Sequence, residues 1–212
     1  MALVLHNYWR SSASYRVRIA LNLKGLHYQQ ITRDLRTGGH QQPEYQAINP
    51  QMMVPALDDD GHVIAQSPAI LEWLEERYPE PALLPKTANE RAVVRTMVST
   101  IACDIHPLNN LRILKALKHD FNAGQDQIND WARRWIGEGF AALETLIARH
   151  GGTFAFGDTP TLADCCLVPQ VYSAERFETD LAPYPRLMAA VRAALDLPAV
   201  AAAHPSRQPD AD

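Results

Sequence analysis

The fold of this chain is decided by ALVLHNYWRSSASYRVRIALNLKGLHYQQI, residues 2–31. Residues 2–6 form a short apolar segment, which predicts a buried strand. Apolar residues then recur at helical spacing over residues 14–24, and Gly25 stands where a helix would stop. Residues 28–31 predict a second strand. The stretch therefore predicts a βαβ unit, whose crossover should be right-handed.

A hairpin and a helix are predicted to follow this unit. Residues 56–57 and 62–65 are short apolar segments on either side of DDDG, residues 58–61, which favours a turn between two strands. Ser67 followed by Pro68 predicts a helix with Ser67 as its N-cap and Pro68 in its first turn. A βαβ unit, a hairpin and a helix in this order are typical of a thioredoxin-like domain.

The pattern of apolar residues changes after residue 80. Three prolines between residues 79 and 85 predict a stiff linker, which we assign to residues 81–88. From residue 89 to residue 197 there is no strand-like alternation, and apolar residues recur at helical spacing. Thr161 and Asp164 form a predicted capping box, which signals the start of a helix.

These patterns divide the chain into two domains. We predict a thioredoxin-like α/β domain over residues 1–80 and an all-α domain over residues 89–212. The last residues, 205–212, are polar and are expected to be frayed. Several aromatic and cysteine side chains are expected to pack in the helical domain without a chemical role: Trp131, Trp135, Phe140, Cys165 and Cys166.

The composition excludes several classes of protein. The 212 residues carry 20 basic and 24 acidic side chains, a net charge of -4, which argues against a nucleic-acid or anionic-membrane surface. No apolar run reaches the roughly 18 to 20 residues of a membrane-spanning helix, and the first ten residues lack a signal-peptide pattern. The three cysteines include no CxxC pair, which favours a reducing cytoplasm over a disulfide framework. No spacing typical of metal ligands occurs.

Residues 11–21, SSASYRVRIAL, are similar to the signature of zeta-class glutathione transferases, whose members include the maleylacetoacetate and maleylpyruvate isomerases. Four further segments match the same family: NPQMMVP at 49–55, QSPAI at 66–70, DIHPLNNL at 104–111 and TLAD at 161–164. The resemblance implies the cytosolic glutathione transferase fold, glutathione as the cofactor and a homodimer. The chain departs from the family's usual Ser-Ser-Cys at Ala13, so the protein itself supplies no thiol at this place.

Sulfur chemistry at this site needs a bound thiol, because residues 1–102 contain no cysteine. The resemblance implies that glutathione brings it. A free thiol has a pKa of about 8.5, which a helix N-terminus and hydroxyl donors lower. Ser11 and Ser12 lie at the start of the first helix and are expected to stabilise the thiolate. Either serine could instead act only as the N-cap, and the resemblance favours Ser11 as the residue that faces the sulfur.

The remainder of glutathione is a peptide with two carboxylates and an amine. Val54 is expected to pair its backbone N–H and C=O with the cysteinyl part, and the resemblance implies that the following Pro55 is cis. Gln66 and Ser67 lie at a helix N-terminus and suit the γ-glutamyl carboxylate, although Ser67 could also cap that helix. The resemblance implies that His40 contacts the glycyl end, whereas a lone loop histidine is more often just solvated.

The helical domain carries three further candidates for the glutathione site. His106 and Asn110 are four residues apart and are therefore expected on one helical face. Pro107 between them is expected to kink or restart the helix. The resemblance implies that Asp104 reaches the glutathione amine across a dimer interface. A helix cap for Asp104 and a surface position for Asn110 are the alternatives.

Three arginines are candidates for binding the substrate. Arg10 directly precedes the two serines, Arg112 lies on the helix after Asn110, and Arg176 is predicted to lie past the helix that Thr161 caps. The resemblance implies that the family's substrate pocket closes at Arg176. Converging guanidinium groups suit a small dianion, because each can bind a carboxylate through two hydrogen bonds. The alternative is that they are simply solvated. Arg16 and Arg18 are expected to make structural contacts around the first helix, with Arg16 alternatively leaning towards the carboxylate end of the ligand.

The resemblance implies a glutathione-dependent cis–trans isomerase that converts maleylacetoacetate or maleylpyruvate into the fumaryl isomer by reversible thiolate addition. The three arginines favour this hypothesis. Two alternatives remain open: a general zeta-class transferase that consumes glutathione on small electrophilic acids, and a non-catalytic binding module of the same fold. The residues do not distinguish between the two maleyl substrates.

Overall fold

Four strands near the start of the chain form one mixed sheet. In the computed structural model, which describes residues 3–212, they are β1 (Leu3–Asn7), β2 (Tyr28–Thr32), β3 (Ala56–Asp59) and β4 (His62–Ala65), in the order β2-β1-β3-β4. β1 is parallel to β2 and antiparallel to β3, and β3 is antiparallel to β4. The predicted βαβ unit and hairpin are confirmed. Ala2, which the sequence assigns to the first strand, lies outside the described residues.

The turn between β3 and β4 is shorter than predicted, with two residues instead of four. Asp59 pairs with His62, so β3 extends two residues beyond its predicted end. Asp60 and Gly61 have φ of 50° and 91°, the left-handed conformation that two-residue hairpin turns need. The N–H of Gly61 also donates to Asp58 Oδ1 at 2.6 Å.

Short helices lie between and after these strands: α1 (Ser12–Leu23), a 3₁₀ helix (Gly39–Gln41), α2 (Pro43–Ile48) and, after β4, α3 (Ser67–Arg77). α1 begins two residues before its predicted start, because Ser11 caps it. Val17, Ala20 and Leu21 on α1 are fully buried. Burial of a valine or leucine side chain stabilises a fold by about 1.5–3 kcal/mol, so this face holds α1 in the core and fixes where its N-terminus lies.

The second part of the chain is helical, as predicted: α4 (Ala88–Ser99), a π-helical segment (Thr100–Ile105), a 3₁₀ helix (His106–Asn109), α5 (Leu111–His119), α6 (Gln125–His150), α7 (Leu162–Arg176) and α8 (Pro185–Leu195). The buried residues of α6 recur every three or four positions: Ile128, Ala132, Ile136, Phe140, Leu143 and Ile147. Cys165 and Cys166 are buried as predicted, whereas Trp131 and Trp135 are only half-buried. None of the helices within residues 3–212 is long and apolar enough to cross a bilayer.

The end of the chain belongs with the sheet. One unit consists of Met1–Leu83 together with Leu195–Asp212, and the other of Leu84–Ala194. From the sequence, residues 195–212 are predicted to belong to the helical domain instead. The structure groups them with the sheet because the hydrogen-bond partners of their polar groups lie on α1 and the strands.

The tail, residues 195–212, contains α9 (Pro198–Ala202) and a 3₁₀ helix (Pro205–Arg207). The expectation that residues 205–212 are frayed is wrong, because Gln208 and Asp210 make hydrogen bonds to Gln30 and Trp9. Gln208 is only 7% exposed, and its Oε1 accepts from Gln30 Nε2 at 3.1 Å. Polar composition alone predicts solvation, but these side chains find partners in the folded chain.

Thr161 and Asp164 form the predicted capping box at the start of α7. The N–H and Oγ1 of Thr161 donate to Asp164 Oδ2 at 2.8 and 3.0 Å, and the N–H of Ala155 donates to Oδ1 at 2.9 Å. Asp164 is 2% exposed. Burial raises the pKa of its carboxyl to about 6, although the three donors favour the ionised form.

This raised pKa predicts a pH-dependent stability. Asp164 binds its proton more tightly in the folded chain than in the unfolded chain. Its contribution to the free energy of unfolding is therefore complete below about pH 4 and is lost as pH rises through about 6. We expect the stability of the wild-type protein relative to Asp164→Asn to fall by about 3 kcal/mol between about pH 4 and pH 7, as measured by urea unfolding.

Asp158 provides a control of the opposite sign. It is exposed, and hydrogen bonds from the N–H and Oγ1 of Thr153 lower the pKa of its carboxyl. Any contribution from Asp158 is therefore lost as pH falls, and Asp158→Asn should not reproduce the slope of Asp164→Asn. Parallel pH curves for wild type and Asp164→Asn would contradict the prediction.

Candidate functional site

Ser11 is the N-cap of α1. Its Oγ accepts a hydrogen bond from the N–H of Ser14 at 3.2 Å, and its backbone is extended, with φ -70° and ψ 116°. A serine hydroxyl has two acceptor positions and one donor. Capping uses one acceptor position only, so the O–H of Ser11 can still donate to a ligand. The two readings of Ser11 that the sequence left open are therefore compatible.

Ser12 occupies the first helical position and is 9% exposed, whereas Ser11 is half-buried. A ligand sulfur therefore reaches the Ser11 hydroxyl more easily than that of Ser12. The first turn of α1 contains no acidic residue. Its N–H groups and the helix dipole favour negative charge at this end of α1.

A tight turn leads into this helix start. The N–H of Ser11 donates to Tyr8 O at 3.0 Å and closes a turn over Tyr8, Trp9, Arg10 and Ser11. Arg10 is exposed, and its guanidinium carbon lies 6.0 Å from the centroid of the Trp9 ring. Arg10 is adjacent to Ser11, and the role of Arg10 in substrate binding stays a prediction.

The bond between Val54 and Pro55 is cis, as the resemblance implies. Tyr45 Oη and Asn49 Nδ2 both donate to Met53 O, at 2.6 and 2.8 Å, and so fix the carbonyl that precedes Val54. Among the described residues, neither the N–H nor the C=O of Val54 takes part in a backbone hydrogen bond. An extended peptide ligand can therefore pair with Val54 in the way the sequence predicts.

Gln66, and not Ser67, is the N-cap of α3. Gln66 has a positive φ of 69°, and Ser67 is the first helical residue. The predicted cap role of Ser67 is therefore wrong. Its buried Oγ instead accepts from Arg16 Nη1 at 3.2 Å.

Arg16 therefore brings a positive charge to the N-terminus of α3. It is 1% exposed and reaches Ser67 across 51 residues of sequence. A helix N-terminus and a guanidinium group both favour an anion, so this place suits a carboxylate such as the γ-glutamyl one. No short-range pattern in the sequence predicts this contact. Only the position of Arg16 on the first helix indicates that it could lie near the ligand.

His40 lies at the centre of the 3₁₀ helix formed by Gly39–Gln41 and is half-buried. The segment before it is tightly folded, because Gly38 has a φ of 77° and a Cβ at Gly39 would meet Asp34 N at 3.0 Å. This backbone gives His40 a defined position. Its contact with the glycyl end of glutathione stays a prediction.

The second unit places Asp104 and His106 on either side of a change in helix type. Asp104 is exposed within the π-helical segment, so it is not a helix cap. His106 begins the 3₁₀ helix, and Pro107 in its first turn confirms the predicted break.

Asn110 is the N-cap of α5, and its Oδ1 accepts from the N–H of Arg112 at 3.1 Å. The expectation that His106 and Asn110 share one helical face is wrong. Asn110 is extended, with ψ 145°, and the residues between them form a 3₁₀ turn. The periodicity of an α-helix therefore does not connect the two side chains.

Arg112 is exposed in the first turn of α5, and Arg176 is exposed at the last position of α7. Contrary to the prediction from the sequence, Arg176 therefore does not lie past this helix, because the helix continues to it. Both positions leave the guanidinium groups accessible to a ligand. Their convergence with Arg10 stays a prediction. Arg18, in contrast, is fully buried and donates to Asn7 Oδ1, Trp9 O and Ala203 O, which confirms its structural role.

Comparison with known proteins identifies the class to which this fold and site belong. Residues 10–77 match the family model of the glutathione S-transferase N-terminal domain, and residues 125–193 match that of the C-terminal domain. A maleylpyruvate isomerase of Ralstonia sp is 51% identical over 208 residues, which cover 97% of this chain and 98% of that protein. A maleylacetoacetate isomerase of Pseudomonas aeruginosa is 49% identical over 209 residues, 97% of each chain.

Solved structures agree with these matches. The holo structure of a bacterial zeta-class maleylpyruvate isomerase has a TM-score of 0.96 and 51% identity, covering 99% of this chain and 100% of that one. A maleylacetoacetate isomerase of Anaeromyxobacter dehalogenans 2CP-1, with dicarboxyethyl glutathione and citrate bound in its active site, has a TM-score of 0.89 and 45% identity, covering 100% and 98%. This chain belongs to the glutathione S-transferase family. Within that family it belongs to the zeta class, together with the maleylpyruvate and maleylacetoacetate isomerases.

Proposed function

We propose that this protein is a glutathione-dependent cis–trans isomerase that converts maleylpyruvate or maleylacetoacetate into the fumaryl isomer. The observation that carries the proposal is the nearly full-length match, at 51% and 49% identity, to two relatives named for these substrates. The dicarboxyethyl glutathione bound in the active site of the Anaeromyxobacter relative supports a small dicarboxylate as the substrate class.

The residues of the first unit fit glutathione as a cofactor. Val54 has backbone groups available for an extended peptide, and Ser11 has a hydroxyl donor available for a thiolate. The α3 N-terminus with the buried Arg16 suits the γ-glutamyl carboxylate. The residues proposed to hold glutathione are Ser11, Ser12, His40, Val54, Pro55, Gln66, Ser67, Asp104, His106 and Asn110.

When bound, glutathione supplies a thiolate that adds reversibly to the cis double bond and leaves unchanged after rotation about that bond. Ser11 donates its O–H towards the sulfur and so favours the ionised thiol, with the first-turn N–H groups of α1 adding positive potential. Arg10, Arg112 and Arg176 are proposed to bind the substrate carboxylates and to stabilise the negative charge that develops on the keto oxygen.

We further propose that the chain works as a homodimer in a reducing cytoplasm. Asp104 is exposed, which leaves its carboxylate accessible to glutathione bound by a second copy. None of the three cysteines forms a disulfide in the structure, which suits a reducing compartment.

A turnover assay with and without glutathione tests the proposed function. We expect maleylpyruvate or maleylacetoacetate to be converted into the fumaryl isomer only when glutathione is present, while the total free thiol stays constant, because the cofactor leaves unchanged. The substrate with the higher kcat/KM identifies the natural reaction. Equal conversion without glutathione would overturn the proposal, and a fall in free thiol with turnover would assign the chain to the consuming transferases.

A further inference from the structure

The tail of the chain contacts the turn that precedes Ser11. Asp210 Oδ2 accepts a hydrogen bond from the N–H of Trp9 at 2.9 Å, although 201 residues separate the two. Trp9 is the second residue of the turn that the N–H of Ser11 closes onto Tyr8 O. A side chain near the end of the sequence therefore holds a peptide group two residues before the candidate catalytic serine.

Arg18 holds the other side of the same residue. Its Nη2 donates to Trp9 O at 3.0 Å and its Nε donates to Ala203 O at 3.1 Å. Arg18 and Asp210 therefore each connect the turn and the tail through hydrogen bonds. Both backbone polar groups of Trp9 are fixed, one by each side chain.

The tail itself is held in a defined place, so Asp210 is a fixed group. Gln208 Nε2 donates to Ala202 O at 3.0 Å and to His204 O at 2.8 Å, and Gln208 Oε1 accepts from Gln30 Nε2. Gln30 Oε1 in turn accepts at 2.9 Å from Nδ2 of Asn7, which is the last residue of β1. This chain of hydrogen bonds sets the tail against the strand from which the turn departs.

We propose that Asp210 is a positioning residue for the thiolate site: it fixes the turn over residues 8–11 and through it the Ser11 hydroxyl. The inference rests on the proposed function, since it takes Ser11 as the thiolate donor. Without a fixed acceptor, the N–H of Trp9 turns towards water, and the turn and Ser11 move with it. Misplacement by a fraction of an ångström weakens a hydrogen bond and reduces turnover well before the fold is lost.

Three variants separate positioning from packing. Asp210→Ala removes the acceptor, Asp210→Asn keeps an acceptor oxygen at the same distance from the backbone, and Asp212→Ala is the matched control in the same tail. Asp212 forms an ion pair with Arg36, and the side chains of Asp212 and Arg36 are about half exposed. Arg36 also pairs with Asp34. Loss of that pair should leave the turn unchanged.

We expect Asp210→Ala to lower kcat about tenfold and to raise the pKa of the bound glutathione thiol by about one unit, read from the ultraviolet absorbance of the thiolate against pH. Asp210→Asn should restore both values, and Asp212→Ala should match wild type. Amide hydrogen exchange at Trp9 should accelerate in Asp210→Ala alone, because its acceptor is gone.

Unchanged exchange at Trp9, or an unchanged thiol pKa and kcat, in Asp210→Ala would overturn the inference. The inference would also be overturned if Asp210→Asn kept slow exchange at Trp9 but showed the same kcat and thiol pKa as Asp210→Ala. The hydrogen bond would then be retained without positioning Ser11. A wild-type protein that does not ionise glutathione would instead overturn the proposed function. The exchange measurement does not depend on glutathione, so the two failures are distinguishable.

Discussion

Ser11→Ala is expected to lower the kcat of isomerisation about 100-fold and to raise the pKa of the bound glutathione thiol towards its free value of about 8.5. The reason is that the Ser11 hydroxyl can accept one hydrogen bond and donate another at the same time. Its oxygen accepts from the N–H of Ser14, and its proton remains as a donor for the sulfur. Alanine removes the donor, while the helix N-terminus remains and keeps part of the effect.

The same substitution also removes a helix cap, at a cost of about 1 kcal/mol in stability. A matched control is Thr87→Ala, which removes the N-cap of α4, where Thr87 Oγ1 accepts from the N–H of Glu90 at 3.3 Å. Both variants should lose similar stability in urea unfolding, but only Ser11→Ala should change the thiol pKa.

Ser12→Ala decides between the two serines. Ser12 is buried at the first helical position, so its loss should change the thiol pKa less than the loss of Ser11. A larger effect in Ser12→Ala than in Ser11→Ala would contradict the assignment of the donor. Equal pKa values of the bound thiol in wild type, Ser11→Ala and Ser12→Ala would show that the helix N-terminus alone ionises the thiol.

Short-range patterns predicted most of the fold. The βαβ unit, the hairpin with its turn near residues 60–61 and the capping box of Thr161 and Asp164 each depend on residues close in sequence. The structure confirms all three, although the turn has two residues and not the predicted four. The sequence favours Ser67 as the cap of α3, because serine is a frequent cap. The chain instead enters α3 through Gln66 with a positive φ, which the residue types do not predict.

Contacts between distant residues account for what the sequence could not predict about the site. Arg16 reaches Ser67 across 51 residues, and Asp210 reaches Trp9 across 201. Neither pair produces a periodic pattern in the sequence, and the polar composition of residues 205–212 predicts a solvated end. The residues around Ser11 could be proposed from sequence because they share one motif, whereas the groups that hold them in place lie on other elements.

A buried ion pair shows how strongly such long-range contacts are expected to stabilise the first unit. Lys24, the C-cap residue of α1, has a side chain with no exposed surface, and its Nζ lies 2.8 Å from Glu75 Oε2 on α3. The same Nζ donates to Tyr78 O at 2.7 Å and to Pro81 O at 3.0 Å. Glu75 also accepts from the N–H of Leu83 at 3.0 Å. The pair therefore joins α1, α3 and the segment that follows α3.

Lys24→Met is expected to destabilise the protein by about 3–5 kcal/mol, because it leaves the Glu75 carboxylate buried without its cation. This is a large part of the roughly 5–15 kcal/mol that stabilises a typical domain, so the variant should unfold at much lower urea concentration. The double variant Lys24→Met/Glu75→Gln should recover part of the loss, since the amide removes the uncompensated charge and keeps an acceptor for Leu83. With the single variant Glu75→Gln, these proteins complete a double-mutant cycle, whose coupling energy measures the pair. A loss below about 1 kcal/mol in Lys24→Met, or no recovery in the double variant, would mean that the pair behaves like an exposed one.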